Sequence, residues 1–328
     1  MRRDVWWWIG CSVVAFMGVL CDPAWVEAQA YPSKPIRFVV PYPPGGASDV
    51  TARVLGQKMT EAWGQSVVVE NRVGANGILA LESVAKASPD GYTILMANLG
   101  PNAIVPGLYS KLPFDPIKDF APITLTTLVP QLIVVSAESD IKTFRELIAR
   151  AKAKPGELSY ASGGNGTASQ LAGELLKSMA GVDFLHVPFK SDVQSTQEVL
   201  GGRVTMAFPT VISVMPLIKA GRLRPLAVAT KQRVAILPDV PTVSESGVAG
   251  YDVVSWGGVM APANTPKDII GKLNGEIIRI LKLPDVAERI KSTGAEIVGS
   301  TPAEFGAYVQ SEIAKWGKVA KEANIRLD

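Results

Sequence analysis

The residues of this chain best placed to do chemistry are main-chain amides. Pro41-Tyr42-Pro43-Pro44-Gly45-Gly46-Ala47-Ser48-Asp49 follows a β-branched and aromatic run, Ile36–Val40, and precedes Val50, Val54, Leu55 and Met59 at helical spacing. A strand therefore runs into a Pro/Gly loop, and the loop runs into a helix. Ser48 or Asp49 is expected to cap that helix, because a short side-chain oxygen accepts a free first-turn N–H. The amides of Gly45, Gly46, Ala47, Ser48 and Asp49 would then converge at the positive end of a helix dipole, a site suited to a carboxylate or phosphate. An ordinary βα turn with a good cap has the same local pattern, so the rest of the chain must decide between the two.

Side-chain chemistry is sparse. His186 is the only histidine. It lies in the apolar run Phe184-Leu185-His186-Val187, and no Gly-x-Ser-x-Gly elbow accompanies it. One histidine makes neither a triad nor a zinc set, so a structural role is expected of it. Both cysteines, Cys11 and Cys21, precede residue 31, which leaves no thiolate for a metal. Neither glycine-rich loop ends in Gly-Lys-Ser/Thr, so no phosphate-gripping Walker loop is present. Paired carboxylates for glycosidic work stay open, although Asp49 reads better as a cap. No metal and no cofactor is expected, and the reading points away from an enzyme.

The elements that must position these groups alternate. Strand 66–70, loop 71–77, helix 78–87 and strand 92–97 continue the β-α-β-α-β pattern of a parallel sheet with helices on its faces. Loops 41–49, 71–77 and 97–102 all leave strand C-termini, so they should gather at one edge. Residues 101–122 are Pro-rich and irregular, and strands follow at 123–128 and 131–135 with Pro130 as a crossing point between two lobes. The second stretch repeats the pattern with helix 144–153, strand 158–161, loop Ser162–Thr167 and helix 168–180, capped by Thr167. Strand 183–187, helix 193–200, strand 204–208, a helix to Lys219 and strand 223–229 follow. A strand at 253–260 returns to the first lobe, and helices beginning near Pro266, Pro284 and Pro302 are expected to pack on it. The expected lobes are 31–129 with 252–328, and 130–251.

Residues 1–30 read as a secretory signal. Arg2 and Arg3 precede an apolar run from Val5 to Leu20, and Ala28-Gln29-Ala30 offers a cleavage site after Ala30. A membrane anchor is the competing reading, but the apolar run is short for a span of about 20 residues. Without the leader, 33 basic and 30 acidic residues become 31 and 27, a net charge of +4 with no Lys/Arg block. Nucleic acid is therefore not an expected partner. Hydrophobic residues at 47% and charged residues at 19% are enough to build a large core, and a cysteine-free exported chain fits the bacterial periplasm.

These residues bear a family resemblance. The chain resembles the periplasmic solute receptors of tripartite tricarboxylate transporters, the Bug-type binding proteins. The likeness rests on Pro41–Asp49 with Ala52-Arg53, Val69-Glu70-Asn71-Arg72 with Gly74–Gly77, and Ser88-Pro89-Asp90-Gly91-Tyr92-Thr93. It continues through Tyr160-Ala161-Ser162, Leu171-Ala172-Gly173-Glu174, His186-Val187-Pro188-Phe189-Lys190, Leu200-Gly201-Gly202, Leu237–Thr242 and Ser255-Trp256-Gly257-Gly258.

The resemblance implies an α/β, two-lobed type II periplasmic binding protein fold, each lobe a mainly parallel sheet flanked by helices, with the cleft between them. It also implies a small carboxylate ligand, membrane transporter subunits as partners, a monomer, and a ligand carboxylate held by amides of the 45–49 loop. Tyr42, Ala75 and Asn76 are expected beside that loop. Ser162, Gly163, Gly166, Thr167, Ala168, Gln170, Phe189 and Pro209 are expected on the second lobe, with the turn after Pro188.

Family members commonly have His at 170, Gly at 191, a small Ala-Pro-Ala-like segment near Val193-Gln194-Ser195, and Asp at 209. The loss of the acid at Pro209 suggests a carboxylate ligand without an amino group. A Gly46→Val side chain is expected to obstruct the ligand. The expected function is a periplasmic receptor that delivers a dicarboxylate or aromatic acid to its transporter. A sensory receptor for a membrane kinase or a periplasmic enzyme are the alternatives.

Overall fold

The structure, a computed structural model, describes residues 31–292 and 294–327. The expected signal, with its cleavage site after Ala30, lies outside the described residues. The chain opens with β1 (Ile36–Val40), α1 (Ala47–Trp63), β2 (Val67–Asn71), α2 (Ile78–Ala85) and β3 (Thr93–Asn98). A π-helical turn, Gly100–Ile104, leads into the short α3 (Val105–Leu108), and the long β4 (Phe120–Pro130) follows. The middle of the chain supplies β5 (Leu132–Ser136), α4 (Phe144–Ala153), β6 (Ser159–Ser162), α5 (Ala168–Ala180), β7 (Leu185–Pro188), α6 (Asp192–Leu200), β8 (Met206–Ala207), α7 (Val211–Lys219) and β9 (Leu223–Val228). The chain ends with β10 (Val254–Pro262), α8 (Lys267–Leu281), α9 (Pro284–Lys291), β11 (Glu296–Ile297) and α10 (Pro302–Glu322).

The strands form two sheets, a six-stranded one in the order β11-β4-β10-β3-β1-β2 and a five-stranded one in the order β7-β6-β8-β5-β9. The βαβ units pair in parallel, with Ile36 opposite Val67 and Phe38 opposite Ile94. The strands that cross between the halves pair antiparallel, β10 on β3 and β4 and β5 on β8 and β9. Each sheet is therefore mixed and not mainly parallel as expected, because a strand that arrives from the other half has no crossover helix to turn it parallel.

The chain crosses at Pro130-Gln131 and returns before Val254, and these two crossings lie side by side. Val254 pairs with Pro130 at the end of the β4–β10 ladder. On the other side of the crossing, Gln131 bridges Thr210 and its carbonyl accepts the Ala229 N–H at 2.9 Å.

β4 starts inside the Pro-rich stretch that reads as irregular. Its register against β10 skips near Pro122 and again between Gly257 and Gly258, and a bulge is where a strand tolerates a residue without an N–H. β8 is shorter than the expected strand 204–208. The Pro209 that follows it has no N–H to extend a ladder, although its carbonyl accepts from Leu132 at 2.9 Å.

The packing follows from the apolar stripes. One core lies under α1, α8 and α9, with Phe38, Leu55, Met59, Ile277 and Ile290 fully buried. A second runs from α2 and β3 through α10 to Phe144, Tyr160 and Leu176 of the other half. The expectation that the last three helices sit on the first lobe holds for α8 and α9. α10 packs on β4 and the π-helical turn and also against α5, with Trp316 fully buried, so it straps the two halves together on one side.

Candidate ligand-binding cleft

A cavity of about 680 Å³ lies between the two sheets, within the range of roughly 300–1,000 Å³ of small-molecule sites. Three loops at strand C-termini form its first wall, as the sheet topology requires. Tyr42, Ala47 and Ser48 come from the β1–α1 loop, Asn76 and Gly77 from the β2–α2 loop, and Asn98 to Pro101 from the end of β3. The opposite wall carries Gly166, Thr167 and Ala168 at the start of α5, and Lys190 and Asp192 at the start of α6. The floor is the double crossing, with Thr127, Gln131, Ser255 and Trp256.

Helix N-termini therefore open on one cavity from opposite sides, α1 on the first wall and α5 and α6 on the second. α1 is capped by the extended Gly46 with no side-chain hydrogen bond, so neither Ser48 nor Asp49 caps it. Ser48 Oγ instead donates to Asn98 Oδ1 across the wall. Ala47 and Ser48 line the cavity, so the first turn of α1 brings its free amides and the positive end of the helix dipole to this wall. On the other side Thr167 caps α5 as expected, its hydroxyl accepting the Gln170 N–H at 3.4 Å.

Several expected contacts lie off the wall, each for a visible reason. Gly45 and Gly46 are exposed outside the cavity, and the Gly45 N–H is spent on Asp49 Oδ2 at 2.9 Å. Asp49 itself is only 3% exposed. It also accepts Arg53 Nε at 2.9 Å and Asn71 Nδ2 at 2.8 Å, which makes it the brace that folds the loop. Ala75 faces solvent beside Asn76. Phe189 packs into the core of the second sheet, and Pro209 is buried beneath the crossing.

Ser162, Gly163 and Gln170 stand one layer behind the second wall. Gln170 Oε1 accepts the Gly166 N–H at 2.7 Å, and Gln170 Nε2 lies 3.4 Å from His186 Nδ1. His186 Nε2 lies 2.6 Å from Ser162 Oγ. An amide nitrogen can only donate, so Nδ1 accepts and Nε2 carries the proton, as the network assigns it. His186 also stacks on Tyr160 with ring centroids 4.8 Å apart. Burial lowers its pKa, with Lys177 adding to the effect and Glu174 opposing it. The only histidine is thus a neutral structural brace for the loop 162–168.

A Cβ built on Gly46 meets nothing within 4 Å, and its backbone, at φ −76° and ψ 167°, suits any residue. The expectation that a side chain there obstructs the ligand is therefore reversed: Gly46→Val should leave affinity within about twofold of wild type, as surface substitutions do. A calorimetric titration checks it, and a loss beyond about tenfold would show that the loop moves onto the ligand.

Asp49→Ala should instead act on stability. Burial raises the Asp49 carboxyl, but hydrogen bonds from Arg53, Gly45 and Asn71 outweigh it and hold the pKa below its ordinary value. The stabilisation is therefore complete above the unfolded pKa of about 3.9 and is lost as pH falls through the lower folded value. Denaturant melts at pH 7 should show a loss of about 2 kcal/mol, and the gap between variant and wild type should close below about pH 4.

The turn after Pro188 reaches the wall through Lys190, and Asp192, which was not expected there, stands beside it. They are the only residues carrying a formal charge among the described residues that line the cavity. A charged pair at a helix start reads in sequence as solvated surface. The pattern that could have found them is the turn Lys190-Ser191-Asp192 itself, where Ser191 caps α6 by accepting the Gln194 N–H at 3.2 Å. The reading that no acid faces the ligand rested on position 209, and the structure places one at 192. Gln131 and Trp256 were also missed. Gln131 Oε1 and Trp256 Nε1 are buried with no hydrogen-bond partner among the described residues, although both residues line the cavity.

Two mixed α/β sheets joined by a double crossing, with a cleft between them walled by loops and helix N-termini, define the two-lobed class of periplasmic binding proteins. Within that class, the chain belongs to the tripartite tricarboxylate transporter family of receptors, whose family description matches residues 51–325. It is 40% identical over 295 residues to a protein of the tcbD-tcbE intergenic region of Pseudomonas sp. (strain P51), covering 90% of this chain and 88% of that one. It is 34% identical to Protein BugT of Bordetella pertussis, covering 92% and 93%. Among solved structures, R. palustris Rpa4515 with adipate matches at TM-score 0.79 and 35% identity over 90% of this chain and 99% of that one. MatC (Rpa3494) of Rhodopseudomonas palustris with bound malate matches at 0.76 and 32% over 88% and 99%. The family is periplasmic and its members are binding proteins, so this chain is a receptor and not an enzyme.

Proposed function

We propose that the protein captures a small organic carboxylate, a dicarboxylate or an aromatic acid, in the cleft between its lobes and hands it to the membrane subunits of a tripartite transporter. The observation that carries this reading is the pair of helix N-termini, α1 and α5, opening on one cavity from opposite sheets. Their amides accept an anion without a resident cation, and a ligand that touches both walls stabilises the closed arrangement of the lobes. The adipate and malate of the two solved relatives are of the size such a cavity holds. The lobes are residues 31–129 with 252–328 and residues 130–251, hinged at the double crossing. The protein works in the periplasm as a monomer after cleavage behind Ala30. A thermal-shift screen over mono- and dicarboxylates of two to eight carbons, aromatic acids included, tests the reading. At least one acid should raise the melting temperature in a concentration-dependent way, and a flat response across the panel would count against it.

A further inference from the structure

Asp192 is the one acid among the described residues that line the cleft. It is the first residue of α6, and Ser169 Oγ donates to its Oδ1 at 2.7 Å. The Gly163 N–H in turn donates to Ser169 Oγ at 3.1 Å, which fixes the hydroxyl that holds the carboxylate. Gly163 has no side chain to keep them apart: a Cβ there would stand 2.7 Å from Asp192 Oδ1. One oxygen is thus held against the wall. The other, Oδ2, has no hydrogen-bond partner among the described residues, in a residue that lines the cavity. Across the cleft stands Tyr42, whose phenol is raised in pKa by burial and by the Asp192 charge. The first wall offers Asp192 no cation: the described lining residues on that side carry no formal charge.

A second acceptor lies at the floor. Gln131 is 3% exposed. Its Nε2 donates to Ser255 Oγ at 3.2 Å, which leaves Oε1 unpartnered among the described residues. A cleft that held only carboxylates would meet both groups badly. A ligand carboxylate within roughly 4–6 Å of Asp192 is repelled, and a buried acceptor left unmet carries its full desolvation cost. A donor group on the ligand removes both costs. Lys190, which makes no ion pair among the described residues, and the first amides of α5 stand on the same wall to receive the carboxylate beside that donor.

We propose that Asp192 is the specificity-determining residue of the cleft and that it selects carboxylates carrying a protonated amine, which its free Oδ2 receives, over the same acids without one. The inference rests on the carboxylate reading above and narrows it.

Two matched pairs test it by calorimetric titration of the protein. Malate and aspartate exchange a hydroxyl for an ammonium on one carbon, and adipate and 2-aminoadipate differ by an added ammonium. The amine member of at least one pair should bind about ten- to a hundredfold tighter, the worth of a hydrogen bond between charged groups. In Asp192→Asn, and in Asp192→Ser as a second charge-free variant, that preference should fall to within about threefold while the amine-free acid binds at least as well as to wild type. Melting curves of the unliganded variants confirm that they fold. Equal affinity within both pairs overturns the proposal, as does a variant that weakens both members alike, which would make Asp192 a latch for Tyr42. If no acid of either pair or of the wider panel binds at all, the carboxylate reading itself fails. Binding without amine preference fails only this inference.

Discussion

Gly77→Val should cost the protein both its ligand and part of its stability. Gly77 is buried at the start of α2 with φ +88°, and a Cβ there would lie 2.7 and 2.8 Å from the ring of Pro101 and 3.3 Å from Pro41. Neither ring can turn aside as a flexible side chain would, because each closes on its own backbone. A β-branched residue adds the cost of a left-handed backbone to the overlap. Together these come to about 3 kcal/mol, a fall in melting temperature of roughly 5 °C for a chain of this length. The affinity consequence follows from position. Pro41, Gly77 and Pro101 belong to the three loops that make the first wall, so relieving the overlap moves the amides of Ala47 and Ser48 relative to the opposite jaw. Ligand affinity should drop by about tenfold or more. Thermal melts and a titration with the acid that stabilises wild type best measure both quantities. A variant with wild-type melting and affinity would mean that the first wall is not a rigid jaw.

Gln170→Leu should produce a comparable loss through the second jaw. Leucine fills similar volume but leaves the Gly166 N–H and His186 Nδ1 without partners in a buried place. Two unmet groups cost about 2–4 kcal/mol, and Gly166 itself lines the cavity, so affinity should fall with stability. Gln170→Glu separates this bracing role from direct ligand contact. A glutamate still accepts the Gly166 N–H, and it raises the His186 pKa so that a protonated Nδ1 donates back to it. Stability and affinity should recover near pH 6, which a residue touching an anionic ligand would not allow, since the new charge would repel it.

Wild type has the opposite pH response. Its His186 pKa is lowered, mainly by burial, so the neutral form stabilises the fold fully above the unfolded value of about 6.5. That contribution is lost as pH falls toward the folded value. Stability measured from pH 7 down to pH 5 should therefore decline in wild type and rise relative to it in Gln170→Glu.

Local chemistry that closes on itself was readable in the chain. α4 and α5 occupy Phe144–Ala153 and Ala168–Ala180, the expected bounds. Thr167 accepts an amide three residues on, as expected, and the left-handed Gly181 caps the other end of α5. The crossing at Pro130 was equally legible, since a proline between two apolar runs interrupts a ladder.

What failed was chemistry completed by distant partners. Asp49 has the type and place of a cap, yet Asn71 lies 22 residues away and draws its carboxylate into a brace. Gln170 departs from the family pattern at a position that seemed to face the ligand, but it turns its amide back to Gly166 and His186. Asp192 was the reverse case. Its sequence neighbourhood is that of an exposed helix start, and only the fold brings Tyr42 and Gln131 to the same cavity.

The central claim is that two facing jaws close on a carboxylate, and a distance across the cleft tests it most directly. Both cysteines precede residue 31, so in protein expressed from residue 31 onward cysteines introduced at Leu79→Cys and Val193→Cys are the only thiols to spin-label. Both sites are exposed, at 44% and 68%, one beyond each wall. Pulsed electron resonance should show the distribution between them shortening by several ångströms when the best-stabilising acid is added, as hinge closure requires. An acid that raises the melting temperature while leaving that distance unchanged would contradict the clamp.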